Sequence, residues 1–346
     1  MMRFPLLALP LISIFTTQAQ TTPPQSLLAL SKQDHTLAIV DPVNLKVVAR
    51  IPVGDDPHEV VASSDGQTAY VSNYGYGRFH TLTVIDLVHL KPLKIVDLGA
   101  LQGPHGLFFA EGKVWFTAET AKCIGSYDPA SGTVDWIMGI GQNRTHMIYV
   151  LPGARKIVTT NVNSATVTIL DKTEGAAGVP DRPRSPEGTH AQPPGPPGGD
   201  WNETVVLVGR GSEGFDVLPD GSQAWIANAL DGTISVIDLT QEKVVATLAA
   251  NARGTNRLKF TPDGKLALVS AGHELIVFDV AAQKEVKRID LGKAGGGGIQ
   301  IQPDGRRAYA ASAQGDVSVI NLVTFDVVGH IDVGPNPDGL AWSVRR

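Results

Sequence analysis

The sequence predicts an all-β fold, a seven-bladed β-propeller closed by strands from both termini. Three observations carry this expectation. A strand ending in Val/Ile-Asp, or a close variant, recurs about every 42 residues. Asp-Gly pairs sit at a fixed place in the period, and the two chain ends complement each other as parts of one repeat.

The recurring strand closes at Asp41, Asp86, Asp128, Asp171, Asp238, Asp279 and Asn321, with spacings of 45, 42, 43, 67, 41 and 42 residues. The long spacing holds a Pro/Gly-rich stretch between Thr173 and Asn202, and the period returns when it is removed. Each period then reads as one four-stranded blade. An outer strand d comes first, as in Lys46 to Ile51 or Lys243 to Leu248. The innermost strand a follows, as in Glu59 to Ala62 or Phe215 to Leu218. In four blades an Asp-Gly turn comes next: Asp65-Gly66, Asp220-Gly221, Asp263-Gly264 and Asp304-Gly305. Glycine accepts the positive φ that such hairpin turns demand. Strand b (Ala69 to Asn73, Ala224 to Asn228) and strand c (Thr233 to Asp238) complete the blade, with apolar residues alternating at period two.

The mature chain begins with b and c strands, Leu27 to Leu30 and Leu37 to Asp41, and ends with d and a strands, Asp326 to Asp332 and Gly339 to Ser343. The last a strand lacks the three partners that the N-terminus supplies. One blade built from both ends closes the ring and removes an open sheet edge.

Composition narrows the classes. The 346 residues are 42% hydrophobic and 18% charged, with a net charge of −5, which argues against a basic nucleic-acid surface. Cys123 is the single cysteine, so an internal disulfide, a cysteine metal cage and a C-x-x-C-H haem attachment are all excluded. Met1-Met2-Arg3, the apolar run Phe4 to Phe15 and the small-residue exit at Ala19 read as a secretory signal, residues 1–19. That run is shorter than the ~20 residues a membrane span needs, as is every later apolar stretch. The expectation is an exported, periplasmic or secreted monomer without membrane insertion. Residues 20–346 form a single domain, and the insertion at 173–202 is extended or disordered on the bottom face.

Tyr70-Val71-Ser72-Asn73, the stretch Asp231-Gly232-Thr233-Ile234-Ser235-Val236-Ile237-Asp238 and the Pro-Asp-Gly turns resemble the YVTN-type β-propeller repeat family over nearly all the mature chain. One blade differs. Trp115-Phe116-Thr117-Ala118-Glu119, with Ile124 to Pro129 and Ser131-Gly132, resembles repeats of the streptogramin-lyase (virginiamycin B lyase) propellers. The resemblance implies the propeller and leaves the activity open, because function sits in sites grafted on folds.

The d-to-a and b-to-c links share the top face. Aligning the residue that opens each a strand gives His58, His105, His146, Glu213, Asn256, Gly297 and Asp338. The b-to-c links add His35, His80, Glu119 and His273 to that face. Neutral imidazole is a common transition-metal ligand, and three with a carboxylate can hold a divalent metal and leave a position open. The predicted ligand-binding residues are therefore His58, His105, His146, Glu213, Asn256 and Asp338, with Arg144 and Arg257 for an anionic group. His58, His105 and His146 are the predicted metal ligands. Two functions follow from the residues: a scaffold binding a small ligand or protein partner at the top-face funnel, or a divalent-metal-dependent lactonase- or lyase-type enzyme. A third reading also stays open, in which the histidines are one duplicated blade feature bonded to the neighbouring blade's backbone. Tyr74, Tyr76, Arg78 and Phe79 in the longest b-to-c link suit partner or carbohydrate contact, or a loop packed on itself.

Overall fold

The computed structural model of the chain describes residues 22–173, 200–292, 295–312 and 315–345. The predicted signal, residues 1–19, and residues 174–199 of the insertion lie outside the described residues. The described residues form 28 strands, numbered β1 to β28 in chain order, and no α-helix. They make seven four-stranded antiparallel sheets, the seven blades of a ring.

Blade 1 closes the ring as expected, in the order β28 (Pro337–Val344), β1 (Gln25–Ser31), β2 (Thr36–Asp41), β3 (Lys46–Pro52). Leu28 pairs with Ala341 and Leu27 with Trp342 across the two ends of the chain. The Arg345 N–H donates to the Pro24 carbonyl at 2.8 Å, and the Ser343 hydroxyl donates to the Gly66 carbonyl at 2.8 Å. The second bond ties the closing blade to the Asp65-Gly66 turn of blade 2.

The core lies between blades. One cluster joins Trp225, Ile234 and Val236 of blade 5 to Phe260, Val269 and Phe278 of blade 6. Each such side chain contributes roughly 1.5–3 kcal/mol when fully buried. Strand β17 (Gln223–Asn228) is buried along both faces, whereas the outer β19 (Lys243–Ala249) alternates between half-buried and exposed residues. Period-two patterning therefore marks the outer strands best.

The insertion leaves and returns at a single point. Strand β14 (Thr166–Lys172) pairs with β15 (Trp201–Leu207) up to Lys172 opposite Trp201. Beyond that pair, the Thr173 N–H and hydroxyl both donate to the Asp200 carbonyl at 2.8 Å. Trp201 and Asn202, inside the predicted 173–202 span, thus belong to the blade.

Candidate functional site

The innermost strands of blades 2 to 7 are β4 (Pro57–Ala62), β8 (Pro104–Ala110), β12 (Thr145–Val150), β16 (Ser212–Val217), β20 (Thr255–Phe260) and β24 (Gly295–Ile301). Each of them except β24, and β28 as well, carries a one-residue β-bulge at the aligned position; in β24 the irregularity is wider, with residues 296–298 opposing Ala311. His58 and Glu59 together oppose Ser72, His105 and Gly106 oppose Thr117, and His146 and Met147 oppose Thr160. A bulge releases two residues from the ladder and re-aims a side chain.

The residue two places before the aligned one is left-handed in six blades. It is Asp56 (φ 46°), Gly103 (73°), Arg144 (57°), Gly211 (74°), Gly254 (78°) or Asn336 (52°). This turn swings the chain from the rim into the bulged inner strand.

Hydroxyls of the b strands replace the ladder bonds that the bulges lose. The Glu59 N–H donates to the Ser72 hydroxyl at 3.0 Å, and that hydroxyl donates to the His105 carbonyl at 2.9 Å. The Gly106 N–H donates to Thr117 Oγ1 at 2.9 Å, which donates to the His146 carbonyl at 2.8 Å. Thr160 repeats the pattern between the Met147 N–H (3.2 Å) and the Glu213 carbonyl (2.8 Å). The link to the neighbouring blade is therefore made by serine and threonine, and the imidazoles of His105 and His146 are not needed for it. Glycine follows the aligned residue where backbones nearly touch: a Cβ on Gly106 would lie 2.5 Å from the His146 carbonyl oxygen.

The imidazoles form a line. The His58 and His105 ring centroids are 4.1 Å apart, and those of His105 and His146 are 3.7 Å apart. His105 is fully buried, and neither of its ring nitrogens has a hydrogen-bond partner. Burial therefore holds its pKa well below the ordinary 6.5.

His146 has the opposite environment. Its Nδ1 lies 2.6 Å from Glu119 Oε1 and its Nε2 lies 2.8 Å from Glu213 Oε2. Burial opposes its charge, but the two carboxylates outweigh burial and raise its pKa. Glu213, despite burial, falls to about 2 because His146 and Arg144 face it. Tyr74, carried in by the link after β5 (Thr68–Asn73), donates its hydroxyl to Glu119 Oε2 at 2.5 Å.

His58 faces Lys32 and Asp338. Lys32 Nζ approaches His58 Nδ1 at 2.5 Å, Asp56 at 3.2 Å and Asp338 at 3.3 Å. Burial lowers the His58 pKa to about 4; Asp338 opposes the shift, and Lys32 and Arg257 reinforce it. Arg257 reaches Glu59 at 2.5 Å and Asp338 at 3.7 Å, and these acids hold its charge against burial. Arg144 stands partly exposed at the mouth, 3.2 Å from Glu213 and 3.6 Å from Glu119.

Contacts thus connect seven predicted residues: His58, His105, His146, Glu213, Asp338, Arg144 and Arg257. Asn256 holds the equivalent place in blade 6. Gly297 offers no side chain, and a Cβ there would lie 2.7 Å from that of Ala311. His105, Glu119 and His146 bring their ligand atoms within 4.8 Å of one another, whereas His58 turns its Nδ1 to Lys32 and Asp338. His35 and His80 instead pair with exposed Asp55 and Asp97 at the rim. Sequence reasoning did not single out Glu59, Lys32 or Asp56. One signal for Glu59 was available. It and Arg257 occupy the place after the aligned residue, where four blades have glycine (Gly106, Gly214, Gly298 and Gly339).

Below this cluster, inner-strand residues of all seven blades, among them Glu59, Phe215, Arg257 and Trp342, line a cavity of about 240 Å³. In the link after β5, Tyr76 is exposed, while Phe79 lies against Gly75, where a Cβ would be 2.4 Å from the ring.

No family model and no curated protein matches the chain. Solved structures do. A functionally unknown protein from Desulfotomaculum acetoxidans is 14% identical, with a TM-score of 0.74, covering 93% of this chain and 99% of that one. Hydrazine synthase of Kuenenia stuttgartiensis is 15% identical with a TM-score of 0.69, covering 91% and 98%. Dihydro-heme d1 dehydrogenase NirN in complex with DHE is 15% identical with a TM-score of 0.61, covering 96% and 77%. At these identities the likeness is one of fold.

Proposed function

We propose that this chain is an exported, YVTN-type ligand-binding propeller, and that its site is the top-face mouth of the channel. A small polar ligand contacts His58, His105, His146, Glu213, Asn256 and Asp338 there, with Arg144 at the entrance. One observation carries this reading: ionisable side chains from six blades converge on a single buried cluster. Buried charge of this density is poor stabilising material, and strongly shifted titratable groups gather at functional sites. The fold does not choose the ligand, since similar propellers carry the names of a synthase and a dehydrogenase. The working unit in this reading is a monomer, because one chain completes the ring.

Native mass spectrometry of protein purified without a histidine tag tests the site. The expected result is a non-protein adduct on the wild type that is lost in His105→Asn, with little difference in melting temperature between the two proteins once both are free of the adduct. A large loss of stability with the adduct retained overturns the reading. Cell fractionation and N-terminal sequencing test export, with a mature chain beginning near Gln20 expected.

The second reading is a divalent-metal-dependent lactonase- or lyase-type enzyme. The observation favouring it is the donor set His105, Glu119 and His146, since three protein ligands leave a coordination position for water or substrate.

A further inference from the structure

We propose that His105, Glu119 and His146 bind a divalent first-row transition-metal ion with zinc-like ligand preferences, and that Glu213 orients the His146 ring. This rests on the reading of the channel mouth as a binding site and gives that site a ligand class. It also moves the metal away from the predicted His58, His105 and His146 set, because His58 is committed to Lys32 and Asp338.

Four observations converge. The donor atoms of the three residues lie within 4.8 Å of one another. An ion bound at about 2.0–2.2 Å from each donor sets them ~3–4 Å apart, so it replaces the proton between His146 Nδ1 and Glu119 Oε1, now 2.6 Å apart, and draws His105 in. His105 is fully buried with both ring nitrogens unpartnered, and its neighbours are the rings of His58, His146 and Tyr74. A buried polar group without a partner is destabilising, and a metal bond satisfies one nitrogen.

The orienting partners are also in place. Glu213 holds His146 Nε2 at 2.8 Å, and the Tyr74 hydroxyl holds Glu119 Oε2 at 2.5 Å. Metal-bound imidazoles and carboxylates are fixed by such outer hydrogen bonds. Finally, the carboxylates of Asp56, Glu59, Glu119, Glu213 and Asp338 outnumber the cations Lys32, Arg144 and Arg257, a balance that favours a cation. Two imidazoles with one carboxylate select zinc-like ions over magnesium and calcium, which take oxygen ligands.

The test is titration of chelator-stripped, tag-free protein with zinc and with cobalt(II), followed by calorimetry and cobalt absorption. One equivalent should bind, and chelator should remove it. Glu213→Gln should weaken binding by ~10–100-fold, as loss of an orienting partner does. His105→Asn and Glu119→Gln should weaken it further, while His80→Ala, a rim histidine, should leave it unchanged. The proposal fails if the wild type shows no saturable uptake, or if uptake survives both ligand substitutions. It also fails if His80→Ala lowers uptake as much as they do. Should both ligand variants unfold, an unchanged affinity in Glu213→Gln overturns it. An organic adduct that persists on stripped protein leaves the binding-site reading standing without the metal. Absence of both the adduct and metal uptake removes both readings.

Discussion

Arg257 of blade 6 donates to Glu59 of blade 2 at 2.5 Å, joining residues 198 positions apart from nearly opposite sides of the ring. Both belong to bulges and both are buried. Removing Glu59 leaves the buried Arg257 only the more distant Asp338 at 3.7 Å, so Glu59→Ala should cost about 3 kcal/mol in denaturant unfolding. The double variant Glu59→Leu with Arg257→Met should recover most of that loss. A single-variant cost under ~1 kcal/mol would show that the pair does not govern the charge balance here.

The hydroxyl relay predicts a second effect. Thr117→Val keeps the side-chain shape but leaves the Gly106 N–H and the His146 carbonyl without their bonds. The expected loss is about 1–3 kcal/mol. Thr117→Ser should restore most of it, which a purely volumetric role for Thr117 would not allow.

Acid should destabilise the fold in two steps. His58 has its pKa lowered to about 4, so the unfolded chain takes the proton first. Stability therefore falls as pH drops from 6.5 to about 4, by about 3 kcal/mol, and then levels off for this group. His105 acts in the same direction. Glu213, held at about 2, contributes stability above its unfolded value of 4.5 that is lost as pH falls toward 2. His146 acts oppositely: its contribution is complete below 6.5 and disappears as pH rises through its raised pKa. Urea midpoints against pH should show both acid steps, and His58→Gln should flatten the first. An unchanged first step in that variant would assign it to other groups.

Arg144 occupies a left-handed position that is glycine in blades 3, 5 and 6. A non-glycine residue there costs roughly 1–2 kcal/mol, while its partly exposed ion pairs return only ~0–1 kcal/mol. Arg144→Gly should thus be neutral or slightly stabilising, and should reduce retention of an anionic ligand at the mouth without weakening metal uptake. A clear loss of stability would show Arg144 to be structural.

The repeat frame was legible because its punctuation is local. Strand c of blade 5, Thr233 to Asp238, is bounded by Asp231-Gly232 and a closing aspartate, and it appears with those bounds. The aligned top-face residues were legible because duplication keeps them in phase. The bulges were not, since they fall next to the first residue of the inner strand, with no alternation before them against which a shift of phase could show. The Glu59–Arg257 pair depends on ring geometry that no local window contains. Tyr74 was seen as a loop aromatic, but the Glu119 carboxylate that its hydroxyl reaches lies 45 positions away in the next blade.

The closing blade has a further role. Lys32 directly follows β1 and Asp338 lies within β28, so both strands that join the chain ends also supply groups to the mouth. An occupant held there acts as a rivet through the clasp. By mass action it adds about 2.7 kcal/mol at a hundredfold excess over its Kd to the cost of unzipping the ring. Protease cleavage within the closing strands β1 and β28 thereby becomes a readout of what sits in the channel mouth.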